Sequence, residues 1–85
     1  MTVNTTDQGK LLAKALYEIR QLLSNYVGTS VDADMSVRIA AHIAYALHNE
    51  ALAGSEGKAF DLAAAVSKIK AIDGLLGQRV SERLL

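Results

Sequence analysis

The chain has 85 residues, no cysteine, no proline, and nine acidic and nine basic residues, so its net charge is zero. A chain this short forms one domain and buries only about 60% of its unfolded surface, which leaves it marginally stable. The lack of cysteine excludes disulfides and thiolate metal sites, and the zero charge disfavours a dedicated nucleic-acid binder, which carries a basic surplus. Oligomerisation is the stabilising device that remains, and low net charge favours it.

Composition favours helices throughout. Fourteen residues are alanine, the best helix former, and β-branched residues never occur in runs. We predict one all-α domain over 1–85, with a disordered tail over 1–5 and three helices connected by short loops as an antiparallel bundle. The N-terminus has no apolar segment typical of a signal peptide, and the most apolar stretch, 35–53, contains charged residues, so we expect a cytoplasmic protein and no membrane span.

The first helix is predicted over about 6–27, with Thr5 or Thr6 as its cap and Gly28 as its C-terminal stop. Its apolar residues are spaced by one, three or four, which places them on one face. They are Leu11, Leu12, Ala15, Leu16, Ile19, Leu22, Leu23, Tyr26 and Val27. This helix therefore has a single apolar face. The loop that follows contains Ser30, Asp32 and Asp34 as candidate caps for the second helix.

The second helix is predicted over about 33–53 and is apolar over most of its circumference. A bulky arc and a small-residue arc lie side by side, the first with Ile39, Ile43 and Leu47, the second with Val37, Ala40, Ala44 and Ala51. A narrow polar stripe completes the helix and consists of Arg38, His42, Tyr45 and Asn49. A helix of this kind is central in its domain or is covered by a partner.

The third helix is predicted over about 57–84, with Gly54 ending the second helix and Ser55 capping the third. One continuous apolar stripe follows it, containing Leu62, Ala65, Val66, Ile69, Ile72, Leu76, Val80 and Leu84. A weaker stripe on nearly the opposite face contains Phe60, Ala64, Ala71 and Leu75. Gly74 and Gly77 predict a bend or a break. The unbroken stripe favours one bent helix.

Nothing in the sequence has the pattern of an active site, and we expect no enzyme, cofactor or metal. His42 and His48 project about 120° apart on one helix, so they cannot share a metal from that helix alone. Neither histidine is followed by the lysine and glycine typical of phosphotransfer domains. We find no nucleophile elbow, phosphate-binding loop or Glu-x-x-His pattern.

The excess of apolar helix surface points to association, with the chain itself as the first partner and another protein as a further one. We predict a non-enzymatic interaction module that works as a homodimer, of the inhibitor, immunity, antitoxin or chaperone type. The predicted interface contains Val37, Ala40, Ala44, Phe60, Ala64, Ala71, Leu75, Val80 and Leu84, with the polar stripe as a further contact surface. Two alternatives remain open: a nucleic-acid-associated regulator using Lys68, Lys70, Arg79 and Arg83 of the third helix, and a histidine-based metal or phosphotransfer bundle.

Overall fold

A computed structural model describes residues 5–28 and 32–85, and within these ranges the chain is all helical, with no strand. Five α-helices follow one another along the chain. They are α1 (Thr5–Leu22), α2 (Met35–Ala46), α3 (His48–Ser55), α4 (Leu62–Leu76) and α5 (Ser81–Leu84). The first ends at Leu22 rather than near residue 27, so Gly28 is not its C-terminal stop, and a short 3-10 turn over Ser24–Tyr26 follows it. The all-α class predicted from composition is confirmed.

Three predictions fall on residues outside these ranges or on side chains that are not described. Residues 1–4 of the predicted tail and the candidate cap Ser30 lie outside the described residues, whereas Thr5 is the first residue of α1. The side chains of Thr5 and Thr6 also lie outside the description, so the predicted threonine cap is untested. Asp34 occupies the N-cap position of α2, but its side chain makes no capping hydrogen bond.

The second predicted helix is interrupted at Leu47, which separates α2 from α3. The Leu47 backbone has φ −98° and ψ 18°, outside the ideal helical geometry. Its N–H still donates to the Ile43 carbonyl, and its carbonyl accepts from the N–H of Ala51. Backbone hydrogen bonds therefore continue across the interruption, which is a local change in the Leu47 backbone geometry.

The predicted start of the third helix and its two signals at Gly54 and Ser55 need correction. Gly54 lies within α3 rather than after it, and Ser55 donates its hydroxyl back to the Leu52 carbonyl instead of capping the next helix. The helix begins only at Leu62, where the Asp61 carboxylate accepts from the N–H of Ala64 at 3.2 Å. Asp61 has the usual N-cap role, so it ends the non-helical segment and starts α4.

Gly77 ends α4, so the third predicted helix is broken rather than bent. Its φ of 65° lies in the left-handed region that glycine adopts without a steric penalty, and its N–H closes the helix on the Asp73 carbonyl. The short helix α5 then begins at Ser81, whose N–H and hydroxyl both donate to the Asp73 carboxylate. The glycine C-cap therefore ends the helix, although the continuous apolar stripe favours one helix.

The most extensive helix contact is α1 against α3, and α2 packs against both α4 and α1. The main hydrophobic cluster lies between α2 and the end of α4 and includes the residue that precedes α5. Its buried members are Ile39, Ile72, Leu76 and Val80, with Met35, Ile43 and Ala46 packed against them. The α2–α3 segment thus contacts both α1 and α4, and a central position is one of the two outcomes that its apolar circumference predicts.

Candidate interaction surface

Most of the apolar face of α1 is exposed to solvent rather than packed against the rest of the chain. Leu12 and Leu22 are each 71% exposed, and Ile19 is 44% exposed. Leu11 and Ala15 are exposed as well. We call these five residues the α1 seam. A helix with one apolar face is expected to bury that face. In this structure, most of the apolar face of α1 remains exposed instead.

A different face of α1 packs on α3. The Tyr17 ring stacks on the imidazole of His48, with 5.1 Å between the ring centroids. The Arg20 guanidinium lies 5.5 Å from the centre of the Tyr45 ring at the end of α2, a cation–π contact. Ala13 lies so close to Gly54 that a Cβ added to the glycine would be 2.9 Å from the Ala13 Cβ. Small and aromatic residues therefore hold α1 and direct its leucines outward.

An apolar groove of about 570 Å³ opens between α1, α3 and α4. Its walls are almost entirely aliphatic or aromatic, with Lys10 and Glu50 among the few charged residues. The apolar residues include Leu12, Leu16, Leu47, Phe60, Leu62, Val66, Ile69, Leu84 and Leu85. Leu12 belongs both to this groove and to the α1 seam, so the two apolar surfaces are continuous.

The predicted polar stripe divides into an inner and an outer part. His42 is buried, and its Nε2 accepts a hydrogen bond from the Gly28 N–H at 3.1 Å. Arg38 donates from Nη2 to the Gly28 carbonyl at 3.2 Å. These two side chains fasten the chain after the 3-10 turn onto α2, which is a structural task.

Tyr45 and Asn49, the outer part of the stripe, line a second cavity of about 640 Å³ together with both histidines. Arg20 and Lys68 lie at its sides on α1 and α4. Within the described part of the chain, the buried atoms Nε of Arg20 and Nδ1 of His48 have no hydrogen-bond partner. The cavity therefore combines polar donors with apolar walls, and it brings His42 and His48 to one space despite their angular separation on a single helix.

Two of the nine predicted interface residues are buried within the chain itself. Ala44 and Val80 are each 1% exposed and belong to the interior of the chain itself, which removes them from the candidate interface. Val80 is buried because the break at Gly77 turns the chain back onto α2. The other residues are partly or fully accessible: Val37 is half-buried, and Ala40, Phe60, Ala64, Ala71, Leu75 and Leu84 are exposed.

A partly buried ion pair joins α3 to α4, and sequence reasoning missed it. Glu50 is buried, and both of its carboxylate oxygens accept from Lys68 Nζ, one at 3.2 Å and the other at a shorter distance. Neither residue has a distinguishing neighbour in the sequence. The one signal that could have found the pair is that Glu50 is the single acidic residue within the largely apolar stretch 35–53.

Among the residues that the structure describes, no three His, Cys, Asp or Glu side chains come together in a way that could hold a metal ion. The helices in those same residues are too short or too polar to cross a membrane. The chain matches no protein-family model, and neither a curated protein nor a solved structure resembles it significantly.

Proposed function

We propose that the chain is a small, non-enzymatic, cytoplasmic interaction module that works as a homodimer, of the inhibitor, immunity, antitoxin or chaperone type. The observation that carries this proposal is the amount of large apolar side chain left in solvent. Among the described residues, twelve large hydrophobic side chains are exposed, and most of them lie on α1, on α4 and at the C-terminal end. Extensive apolar surface of this kind marks interaction sites in soluble proteins.

The total surface area supports the same proposal. A compact folded monomer of 9.1 kDa exposes roughly 4,900 Å² by the usual scaling of area with mass. This chain exposes 5793 Å². The excess, about 900 Å², is close to the roughly 800 Å² that each partner contributes to a standard protein–protein interface.

The proposed arrangement is an antiparallel three-segment bundle, made by α1, the α2–α3 segment and α4, which associates into a larger bundle. Successive contacts support the antiparallel course of the first two segments, because Tyr17 meets His48 whereas the later Arg20 meets the earlier Tyr45. Short helical domains rarely bury enough apolar area alone, so pairing two copies supplies the core that one copy lacks.

Light scattering of the purified chain at tens of micromolar tests the proposal. The expected mass is twice 9.1 kDa, and it should fall toward one chain on dilution. The midpoint of thermal unfolding should also rise with protein concentration, because dissociation is linked to unfolding. A mass of 9.1 kDa at every concentration would refute the homodimer.

A further inference from the structure

The α1 seam has the residue spacing of a coiled-coil contact. Leu12, Ala15, Ile19 and Leu22 follow one another at steps of three, four and three, which is the alternation of a and d positions in a heptad. All four lie within α1, and all four are exposed. Leucine or isoleucine at a, with alanine or leucine at d, forms the knobs that enter the holes of a facing helix.

No described helix of the chain can occupy this seam as the molecule is folded. The opposite side of α1 is already committed to α3 through the Tyr17–His48 stack and the close approach of Ala13 to Gly54. Turning the seam inward would break these contacts and would place Arg20 on the outside, away from Tyr45. The seam is therefore compatible with the observed packing only if it is covered from outside.

We infer that the α1 seam is the surface on which the α1 helix of a second copy packs, so that two copies associate through a short two-helix coiled-coil contact. The inference rests on the homodimer proposed above and names its interface. A heptad seam is self-complementary, because the same a and d side chains serve as knobs on one helix and as walls of the holes on the other. The excess exposed area of the whole chain, of which the seam is one part, is of the size that each copy of a dimer contributes.

Two further features agree with a second copy as the occupant. The chain has zero net charge, so two copies approach without long-range repulsion. The apolar groove begins at Leu12 at one end of the seam, so a helix seated on the seam would also cover the groove's α1 wall. At about 27 Å, α1 is shorter than most isolated coiled coils, but its packing on α3 already holds it helical.

The test compares the oligomeric state of the full chain with that of single variants, by analytical ultracentrifugation and light scattering. Leu22→Glu and Ile19→Glu each place a charge in the seam, and we expect a loss of at least about tenfold in dimer affinity. Both positions are exposed in the single chain, so helicity by circular dichroism should stay at the wild-type level. Leu52→Glu is the matched control, because Leu52 is an exposed leucine on α3 that lies outside the seam.

Leu75→Glu tests the rival surface, the stripe of Phe60, Ala64, Ala71 and Leu75. The inference is overturned if Leu75→Glu dissociates the dimer and Leu22→Glu does not, while the homodimer itself would stand. A wild-type chain that stays monomeric would overturn both.

Because the chain has no cysteine, Ala15→Cys combined with Ile19→Cys adds the only thiols, and oxidation should link two copies covalently. The same oxidation of Leu52→Cys should leave the chains unlinked.

Discussion

Gly54 lies where α1 packs against α3, and the packing uses its missing side chain. A Cβ at this position would lie 2.9 Å from the Cβ of Ala13, which is too short for two carbon atoms. We expect Gly54→Ala to push α1 away from α3 and to lower the free energy of unfolding by about 1–3 kcal/mol, as overpacking usually does. Urea denaturation at a fixed protein concentration measures the change.

Gly74→Ala is the matched control for this prediction. Gly74 lies in the interior of α4 and is exposed, and a Cβ added to it would have no neighbouring heavy atom within 4 Å. Alanine there should stabilise the helix by roughly 0.5–1 kcal/mol, because glycine loses more conformational freedom on folding. Equal effects at the two glycines would show that helix propensity, and not contact with Ala13, decides the outcome.

Residue-level prediction from the sequence succeeds where the chemistry is local and fails where it depends on a distant contact. Arg38 and His42 share a polar stripe, as the helical projection predicts, but their hydrogen bonds go to Gly28. Gly28 lies outside α2, in the segment after the 3-10 turn, and no spacing rule connects it to α2. The sequence predicts Gly54 as a helix stop because glycine often follows a helix, whereas its role is to admit Ala13.

At the scale of the element, α5 depends on one carboxylate. Asp73 accepts from the Ser81 N–H at 2.9 Å and from the Ser81 hydroxyl, so it caps the helix from across the Gly77 turn. The side-chain hydrogen bond from Ser81 is the main reason that the pKa of Asp73 is lowered, and the backbone hydrogen bond adds to it. These hydrogen bonds favour the ionised form of Asp73, because a carboxylate can accept hydrogen bonds from both donors.

The lowered pKa of Asp73 predicts an acid-sensitive C-terminus. The stabilisation is complete above the ordinary aspartate pKa of about 3.9 and is lost as the pH falls through the lower folded value. Following the Ser81 amide by NMR during an acid titration, we expect a midpoint below the ordinary value. Ser81→Ala removes the hydroxyl donor and should move the midpoint upward. A wild-type midpoint at or above the ordinary value would contradict the capping role.

Helix existence is more predictable than helix boundaries. The periodic apolar residues locate all the long helices, but three ends are decided by local backbone geometry and hydrogen bonds. Asp61 starts α4 several residues after the predicted position, Gly77 stops it in a left-handed conformation, and the interruption at Leu47 divides the second helix. Apolar periodicity continues across such breaks and therefore does not reveal them, because the chain can bury residues of one stripe both before and after a turn. Val80, which follows the Gly77 turn, is an example.

At the scale of the whole molecule, the Glu50–Lys68 ion pair connects α3 to α4. Lys68→Met would leave the buried Glu50 carboxylate without its cation. We expect a loss of about 1–3 kcal/mol in the free energy of unfolding, below the cost for a fully buried pair, because Lys68 is 41% exposed. Guanidinium denaturation at one protein concentration measures it.

The Lys58–Glu56 pair supplies the control for the partly buried one. Its atoms are 3.2 Å apart, but both side chains are exposed, so Lys58→Met should change stability by less than about 1 kcal/mol. Combining Lys68→Met with Glu50→Met should recover most of the lost stability, because it removes the buried charge as well. Equal losses for Lys58→Met and Lys68→Met would contradict the bridging role of the partly buried pair.

By itself, the sequence determined the all-α class and the heptad spacing of α1, because each depends on residue types at short separations. Only the tertiary structure decided which face of α1 turns inward. That choice was made by Gly54, Ala13, Tyr17 and His48, whose close contacts hold α1 on a face other than its most apolar one. One short chain cannot bury all of its apolar stripes. The close contact between α1 and α3 therefore decided which stripe stays exposed.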